Sequence, residues 1–224
     1  MHLHEFQAKE LLERYGLRIP KGRIACEKED ARRVAQRLKF PRFAIKAQVR
    51  TIGRMAKGGV RFAASPDGVA ATSASMLGQQ LGKPASPMQC ETVRWVLIEE
   101  AIPVSLQLYA AVVLDYAKGG LLLLTSRSGG TGIESRAANQ PGLIFRTPLE
   151  ITSDGPQGAF EEAAHELALP PAAEVKAAEI FRSLARLAVD LDALQVEINP
   201  LVLTPSQDLV ALDAKLQIDD HALF

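Results

Sequence analysis

The chain of 224 residues can form one domain or two closely coupled ones, and it is long enough to bury a core without disulfides. Lysine plus arginine and aspartate plus glutamate number 26 each, so no overall field draws the chain to nucleic acid or to an anionic membrane. Two cysteines, no signal-peptide pattern and no apolar run near the roughly 20 residues of a membrane span predict a cytoplasmic, globular protein.

The first part of the chain alternates between helical and extended patterns. Apolar spacing, together with a Ser-Pro-Asp start for the third helix, predicts helices over 4–15, 31–38 and 66–77. Apolar runs between them predict strands over 23–26, 43–49 and 59–63. This alternation is typical of a small α/β unit.

The rest of the chain predicts a second unit with a larger sheet. Extended patterns predict strands over 94–100, 107–116, 120–125, 193–203 and 209–216. Helical spacing predicts helices over 157–167 and 172–190. The residues from Ala117 to Gly120 form a candidate hairpin turn, and the polar, glycine-containing stretch 126–142 is expected to be a loop. We therefore expect two α+β lobes.

Lys46 lies inside an otherwise apolar strand, where its ammonium group requires an anionic partner or ligand. A loop that contains glycines and the cations Arg50, Arg54 and Lys57 follows this strand. Small residues let backbone N–H groups approach phosphate oxygens, and the cations can neutralise them. The segment therefore predicts either a phosphate-binding loop or an ordinary surface hairpin with solvated charges.

The last two predicted strands can bring two oxygen ligands together. If the turn between them pairs Thr204 with Asp208, Asn199 lies opposite Asp213. An amide oxygen and a carboxylate across a strand pair can hold Mg²⁺, which takes few protein ligands. A register shift or a bulge at Pro200 would separate the two side chains, and an ordinary cross-strand polar pair is the alternative.

Glu99 lies at the end of another predicted strand, within the run Ile-Glu-Glu-Ala. A carboxylate at this place could bind a ribose or the amino group of an adenine. Acidic residues at strand ends are usually solvated, which is the alternative interpretation.

Three segments together resemble a known family. The opening 4–12, the Glu-Ile-Asn-Pro-Leu run at 197–201 and the Leu-Asp-Ala-Lys run at 212–215 resemble the nucleotide-binding half of the succinyl-CoA synthetase β subunit. The Asp-Ala-Lys form is closer to the malate–CoA ligase branch of that family. The resemblance implies an α/β (α+β) fold of the ATP-grasp type, in which two α+β lobes bind a nucleotide between them.

The resemblance also implies the extents of these parts and their ligands. The implied lobes cover about 21–97 and 98–216, preceded by the helix 4–15. ATP and Mg²⁺ are the implied ligands, and the family's nucleotide-binding positions are occupied here by Lys46, Gly53, Arg54, Met55, Glu99, Ile102 and Gln107. Asn199 and Asp213 occupy the metal-binding positions, and Pro20 resembles members that use ATP rather than GTP. No residue of this chain is implied as a catalytic group.

Several positions depart from the family pattern. Met55 replaces a glycine of the phosphate-covering loop, Gln107 replaces a carboxylate near the ribose, and Ser128 replaces a glutamate that precedes two glycines. These departures leave two alternatives open beside an active subunit. One is a nucleotide-binding pseudoenzyme or regulatory paralogue, and the other is a different ATP-grasp ligase.

The resemblance implies that the chain ends where the CoA-ligase domain of the family would begin. The resemblance implies an ADP-forming carboxylic acid–CoA ligase, similar to succinyl-CoA or malyl-CoA synthetase. In such an enzyme the γ-phosphoryl group of MgATP passes to a histidine of an α-type, CoA-binding partner subunit, and a small carboxylic acid and CoA react through that partner. Neither nucleic acid nor a membrane is an expected partner. His221 is the one histidine expected near the metal, and the family commonly has asparagine there.

Overall fold

The computed structural model describes residues 1–50, 55–82, 90–117 and 119–222. Two compact units make up the chain. The smaller unit contains residues 4–6 and 20–102, and the larger unit contains residues 1–3, 7–19 and 103–224. No helix among the described residues is both long enough and apolar enough to cross a membrane.

The described residues form six α-helices and thirteen strands. The helices are α1 (Glu5–Arg14), α2 (Lys28–Leu38), α3 (Pro66–Met76), α4 (Ile133–Asn139), α5 (Phe160–His165) and α6 (Pro171–Asp190). The strands of the smaller unit are β1 (Gly22–Ala25), β2 (Phe43–Ala47), β3 (Val60–Ala63), β4 (Gln80–Gly82), β5 (Cys90–Thr92) and β6 (Val96–Glu100). The strands of the larger unit are β7 (Leu106–Asp115), β8 (Gly120–Ser126), β9 (Phe145–Thr152), β10 (Gly155–Gln157), β11 (Ala193–Leu203), β12 (Leu209–Ala211) and β13 (Ala214–Ile218).

The smaller unit is built on an antiparallel sheet with the strand order β1-β6-β2-β3. Helices α2 and α3 pack together and against this sheet, and Phe43, Ile45 and Ile98 are buried in the core between them. The Ser65 side chain accepts a hydrogen bond from the Gly68 N–H at 3.1 Å, which confirms the predicted start of α3. Every residue of β2 is buried, and this strand therefore carries Lys46 into the interior.

The larger unit is built on a sheet with the order β10-β9-β8-β7-β11-β12, in which β13 also pairs with β11. The long helix α6 packs on β7, β8 and β11. Its buried face contains alanines together with Phe181 and Leu184, and Phe160 of α5 joins the same core. The alternation of small and large side chains lets the helix approach the sheet closely.

Several elements differ from the sequence predictions. The predicted loop 126–142 contains α4 and a short 3₁₀ helix, Pro141–Leu143. The first turn of α4 has no side-chain cap and follows Gly132, which is in a left-handed conformation. The sequence therefore lacks the usual signals of a helix start at this place. Strands β4, β5, β9 and β10 were not predicted, and the last predicted strand is divided into β12 and β13. The candidate hairpin turn includes Lys118, which lies outside the described residues.

Candidate functional site

Lys46 is the predicted phosphate ligand, and in the structure it is held by two buried carboxylates. Its Nζ lies 3.0 Å from Oε1 of Glu5 and 2.5 Å from Oε1 of Glu99. The exposed fractions of these three side chains are 8%, 2% and 1%. An ion pair at this depth is screened little by solvent, so the charges are strongly coupled.

Gln48 completes this group, which we call the lysine cluster (Glu5, Lys46, Gln48 and Glu99). The Gln48 side chain donates to Oε2 of Glu5 and to the Lys46 carbonyl oxygen, both at 3.1 Å, and it accepts from the Phe6 N–H at 3.1 Å. The cluster thus ties the first turn of α1 to the adjacent strands β2 and β6. It contains two carboxyl groups for one ammonium group.

Sequence reasoning predicted Lys46 and Glu99 as site residues but missed Glu5. A glutamate in the first turn of a helix is ordinary, because it favours the positive end of the helix dipole. The available signal was the buried lysine itself, which demands an anion. Nothing local in the sequence says that this anion comes from the start of the chain.

The other predicted nucleotide ligands of the smaller unit have different surroundings. Ile102 is half-buried and is the last residue of that unit. Gly53 and Arg54 lie outside the described residues. Arg50, one of the loop cations, is engaged by Glu91, which accepts from the Arg50 N–H at 2.8 Å and from its guanidinium group at 3.3 Å.

Met55 begins a short 3₁₀ helix, Met55–Lys57, and it is 56% exposed. The Gly58 N–H donates to the Met55 carbonyl oxygen at 3.1 Å. Gly58 has a φ of +75°, in the left-handed region, whereas Met55 belongs to the 3₁₀ helix. Glycine is therefore required by the backbone at Gly58 and not at Met55.

The predicted register around Asn199 is confirmed. Ile198 lies opposite Ala214, and the same antiparallel register continues through the pairing of β11 with β12. Between these ladders, the Asn199 N–H donates to the Asp213 carbonyl oxygen at 3.1 Å. Asn199 and Asp213 are thus directly opposite each other, and residues in that relationship share one face of a sheet.

A bulge at Pro200, considered as an alternative to the predicted pairing, is present on the other side of β11. Three steps along β11, from Ile198 to Leu201, match only two steps along β7. Proline has no N–H to donate to a neighbouring strand, which favours such a bulge. The Asn199–Pro200 peptide bond is cis. The pairing of Asn199 with Asp213 is unaffected, because it belongs to the opposite edge of β11.

A loop with two glycines contacts Asn199 directly. The Gly130 N–H donates to Asn199 Oδ1 at 2.7 Å, and the Gly129 N–H donates to the Gln107 carbonyl oxygen at 2.8 Å. A Cβ atom at position 129 would overlap the Leu108 carbonyl oxygen. At position 130, φ is +84° and a Cβ atom would overlap the Gln107 side chain. Gln107, Gly130 and Asn199 therefore meet at one place, which sequence reasoning did not predict.

Glu197 lies two residues before Asn199 on the same strand and is buried. Its Oε1 accepts from Lys215 Nζ at 2.9 Å, and its Oε2 accepts from Gln195 at 2.7 Å. Both carboxylate oxygens are thus bound to neighbours on β11 and β13. We infer that Glu197 stabilises this strand pair.

The donor chemistry around Asn199 fits a hard cation. Asn199 offers an amide oxygen and Asp213 a carboxylate, which are ligands that Mg²⁺ accepts when water and phosphate oxygens complete its octahedron. The described residues contain no group of three or more His, Cys, Asp or Glu side chains arranged for a metal. The amide oxygen and the carboxylate could supply at most part of the coordination shell of such a cation.

Two histidines of the larger unit, His165 and His221, are exposed and contact carboxylates. His221 has a 95% exposed side chain, and its Nδ1 lies 3.2 Å from Asp219 Oδ1. His165 has an 80% exposed side chain, and its Nδ1 lies 3.1 Å from Glu174 Oε1. Among the residues that the structure describes, the partners shown for these two rings are Glu174 and Asp219.

His4 differs from these because its ring packs in the smaller unit. It stacks on Phe6, with the ring centroids 6.1 Å apart, and meets Trp95 edge-on at 5.5 Å. Burial lowers the pKa of the His4 imidazole below its usual 6.5, a shift that the Glu91 carboxylate opposes and the Arg50 cation reinforces.

The ATP-grasp domain family matches residues 2–203. The chain therefore belongs to the ATP-grasp domain family, and the predicted fold is confirmed. An ATP-grasp domain implies the use of ATP.

Relatives from two bacteria share the full extent of this chain. The β subunit of the ADP-forming succinate–CoA ligase of Desulfatibacillum aliphaticivorans is 36% identical over 226 residues. The protein of the same description from Brevibacillus brevis is 35% identical over 224 residues. Each alignment covers 100% of this chain and 58% of the relative, so the chain spans less than two thirds of these proteins.

Solved structures with this fold include CoA-dependent enzymes. The dinucleotide-forming acetyl-coenzyme A synthetase 1 of Ca. Korarchaeum cryptofilum has a TM-score of 0.70 and 16% identity, and covers 97% of this chain and 93% of its own. The ATP citrate lyase of Methanothrix soehngenii has a TM-score of 0.71 and 19% identity, and covers 98% of this chain and 51% of its own. At these identities the likeness concerns the fold.

Proposed function

We propose that this chain is the ATP-grasp subunit of an ADP-forming carboxylic acid–CoA ligase and that it binds MgATP. The observation that carries the proposal is the placement of Asn199 opposite Asp213, with the Gly130 N–H on the Asn199 oxygen. Membership of the ATP-grasp family supports the nucleotide, and the β-subunit relatives support the reaction class.

The proposed metal ligands are Asn199 and Asp213. When bound there, Mg²⁺ would neutralise phosphate charge and hold the phosphate groups in position for transfer. Asp213 would supply the negative charge, and Asn199 would supply a neutral oxygen already oriented by Gly130. This division suits a cation that also binds phosphate, because a single protein carboxylate leaves positive charge for the nucleotide.

The proposed nucleotide ligands of the smaller unit are Lys46, Glu99 and Ile102, together with the segment Gly53, Arg54 and Met55. Lys46 would contribute positive charge to the phosphate groups, and Glu99 and Ile102 would contact the adenine. The lysine cluster sets a condition on this role, because Lys46 already has two carboxylate partners. A phosphate oxygen must share or displace one of them.

Gln107 is the proposed ribose ligand of the larger unit. It can bind a hydroxyl group through its amide, as the carboxylate expected there would through an oxygen. Gln107 is exposed near the start of β7, and its side chain lies beside Gly130, whose N–H donates to Asn199.

We further propose that an α-type partner carries the histidine that becomes phosphorylated. The same partner binds CoA and the small carboxylic acid. Phosphoryl transfer requires positioning and charge neutralisation more than a protein nucleophile, and the proposed ligands of this chain supply those two functions. His165 and His221 are exposed and paired with carboxylates, which supports assigning the relay histidine to another chain.

A regulatory paralogue that binds a nucleotide without turnover is the second candidate. The lysine cluster favours it, because its two carboxylates oppose an approaching phosphate. The exposed position of Met55 in a 3₁₀ helix argues against it, because that backbone conformation accepts residues other than glycine.

Two measurements on the purified chain test these candidates. Calorimetric titration with ATP, with and without Mg²⁺, should show binding that Mg²⁺ strengthens. ADP release should then be measured with CoA and a panel of dicarboxylic acids, after the partner captured from the native host has been added. Binding without turnover in the reconstituted complex would favour the regulatory paralogue, and no binding in either condition would contradict both candidates.

A further inference from the structure

The peptide group between Gly129 and Gly130 is bound at both of its ends. Its N–H, from Gly130, donates to Asn199 Oδ1 at 2.7 Å. Its carbonyl oxygen, from Gly129, accepts from Nη2 of Arg136 at 2.9 Å. Arg136 also donates from Nη1 to Ser128 Oγ at 2.9 Å, so the guanidinium group holds two neighbouring points of the loop.

This arrangement has an electrostatic consequence for Asn199. A cation on the carbonyl oxygen of a peptide group polarises that group and makes its N–H a stronger donor. Arg136 therefore strengthens the bond from Gly130 to the Asn199 oxygen without touching Asn199 itself. The planar fork of arginine suits this task, because it fixes two acceptors at once.

Arg136 also restrains a peptide that would otherwise rotate easily. Glycine on both sides of a peptide bond permits many backbone conformations, and rotation of this peptide would break both of its hydrogen bonds. Close packing prevents a side chain at Gly129 or Gly130, so the chain cannot use bulkier residues to restrict the rotation. A hydrogen bond from a residue outside the loop can restrict the rotation instead, and Arg136 supplies such a bond.

We propose that Arg136 is a positioning residue that fixes the Gly129–Gly130 peptide and, through it, the carboxamide of Asn199. An amide oxygen has two lone pairs, so the bond from Gly130 leaves that oxygen able to accept a cation as well. The part that concerns the cation rests on the proposed function of Asn199. The part that concerns the carboxamide rests on the hydrogen bonds alone.

The experiment compares Arg136→Ala and Arg136→Lys with Arg146→Ala in the full chain. Arg146 is a matched control, because its guanidinium group donates to the carbonyl oxygens of Pro141 and Ile144 and contacts no part of the Gly129–Gly130 peptide. The first readout is hydrogen exchange of the Gly130 amide without nucleotide. The second is the dissociation constant for ATP, measured with and without Mg²⁺.

Arg136→Ala should accelerate exchange at Gly130 by about tenfold, the effect of losing a charge-assisted hydrogen bond, while Arg146→Ala leaves it unchanged. It should weaken binding of MgATP by about fivefold to tenfold and binding of metal-free ATP by less than about twofold. Arg136→Lys should give intermediate values, because lysine keeps the charge but cannot hold both acceptors.

Unchanged exchange at Gly130 in Arg136→Ala would overturn the proposal. So would unchanged MgATP affinity in Arg136→Ala when Asn199→Ala weakens it. If Asn199→Ala does not alter MgATP binding, the proposed metal role of Asn199 is wrong, and faster exchange at Gly130 alone would then support the positioning of its carboxamide. The two failures are therefore distinguishable.

Discussion

The ammonium group of Lys46 donates to Oε1 of Glu5, 3.0 Å away, so the first turn of α1 supplies a buried partner for the predicted phosphate ligand. Glu99 is bound to the same ammonium group. Removing one member of a buried ion pair is costly, because it leaves the other charge without its partner. Lys46 therefore contributes to the stability of the smaller unit whether or not a nucleotide is bound.

We expect Lys46→Met to lower the free energy of unfolding by about 3 kcal/mol, because Glu5 and Glu99 then lose their shared buried cation. It should also abolish the thermal stabilisation by MgATP. In the unmodified chain this stabilisation is about 2.7 kcal/mol when the free MgATP concentration is 100 times its Kd. Urea denaturation and thermal melting with and without MgATP measure the two effects.

Two further variants separate these effects. Lys21→Met removes an exposed lysine of the same unit and should change neither quantity. The double variant Glu5→Gln/Lys46→Met should recover part of the lost stability, since it removes one of the two carboxylate charges that lose their contact with Lys46, without recovering the response to MgATP. Full stability in Lys46→Met would contradict the structural role of the lysine cluster.

The second prediction concerns Asp213. Asp213→Asn should weaken binding of MgATP by about tenfold or more and binding of metal-free ATP much less, because the lost interaction is that of a carboxylate with Mg²⁺. Asp219→Asn is the control for loss of a negative charge, because Asp219 directly follows β13. It should leave the dissociation constants for MgATP and for metal-free ATP unchanged. Calorimetry decides between the outcomes, and equal losses in both conditions would indicate that Asp213 acts structurally.

The sequence predicted the Asn199–Asp213 pair because a short hairpin fixes register locally, and the strand period then determines which residues face each other. It did not predict the contacts from Glu5 to Lys46 or from Gly130 to Asn199. These join residues 41 and 69 positions apart, and they form only when the tertiary structure closes. Local pattern carries no information about such pairs, even when one partner is recognisable as needing a ligand.

The third prediction concerns Met55, whose side chain is exposed and whose backbone belongs to a short 3₁₀ helix. Met55→Gly should change the Kd for MgATP by less than about twofold, because no close backbone approach is restored and glycine costs only about 0.5–1 kcal/mol of backbone entropy. Fluorescence or calorimetric titration measures it. A clearly tighter Kd would show that the methionine obstructs the nucleotide and would favour the regulatory paralogue.

The fourth prediction concerns pH. Burial lowers the pKa of His4, so the folded chain keeps this ring neutral at pH values where the unfolded chain takes up a proton. The unfolded state then binds more protons, and the contribution of His4 to stability falls as the pH drops below the usual 6.5. Above that value the contribution is constant.

His4→Gln should therefore lose less stability than the unmodified chain between about pH 7.5 and pH 5.5, as measured by urea denaturation. The same loss in His4→Gln as in the unmodified chain would contradict the effect of burial on His4.

The last prediction is that this chain alone releases no ADP in response to a carboxylic acid and CoA. A phosphohistidine relay needs a ring that can reach the γ-phosphate and then a second site, whereas His221 is 95% exposed and bound to Asp219 through both its backbone N–H and its ring. Its carboxylate neighbour would also repel an attached phosphoryl group. His221→Asn should therefore leave activity unchanged once an α-type partner is added, and that partner should be the component that becomes labelled by γ-³²P-ATP. Turnover by the isolated chain, or stable labelling of His221 that disappears in His221→Asn, would contradict the two-component proposal.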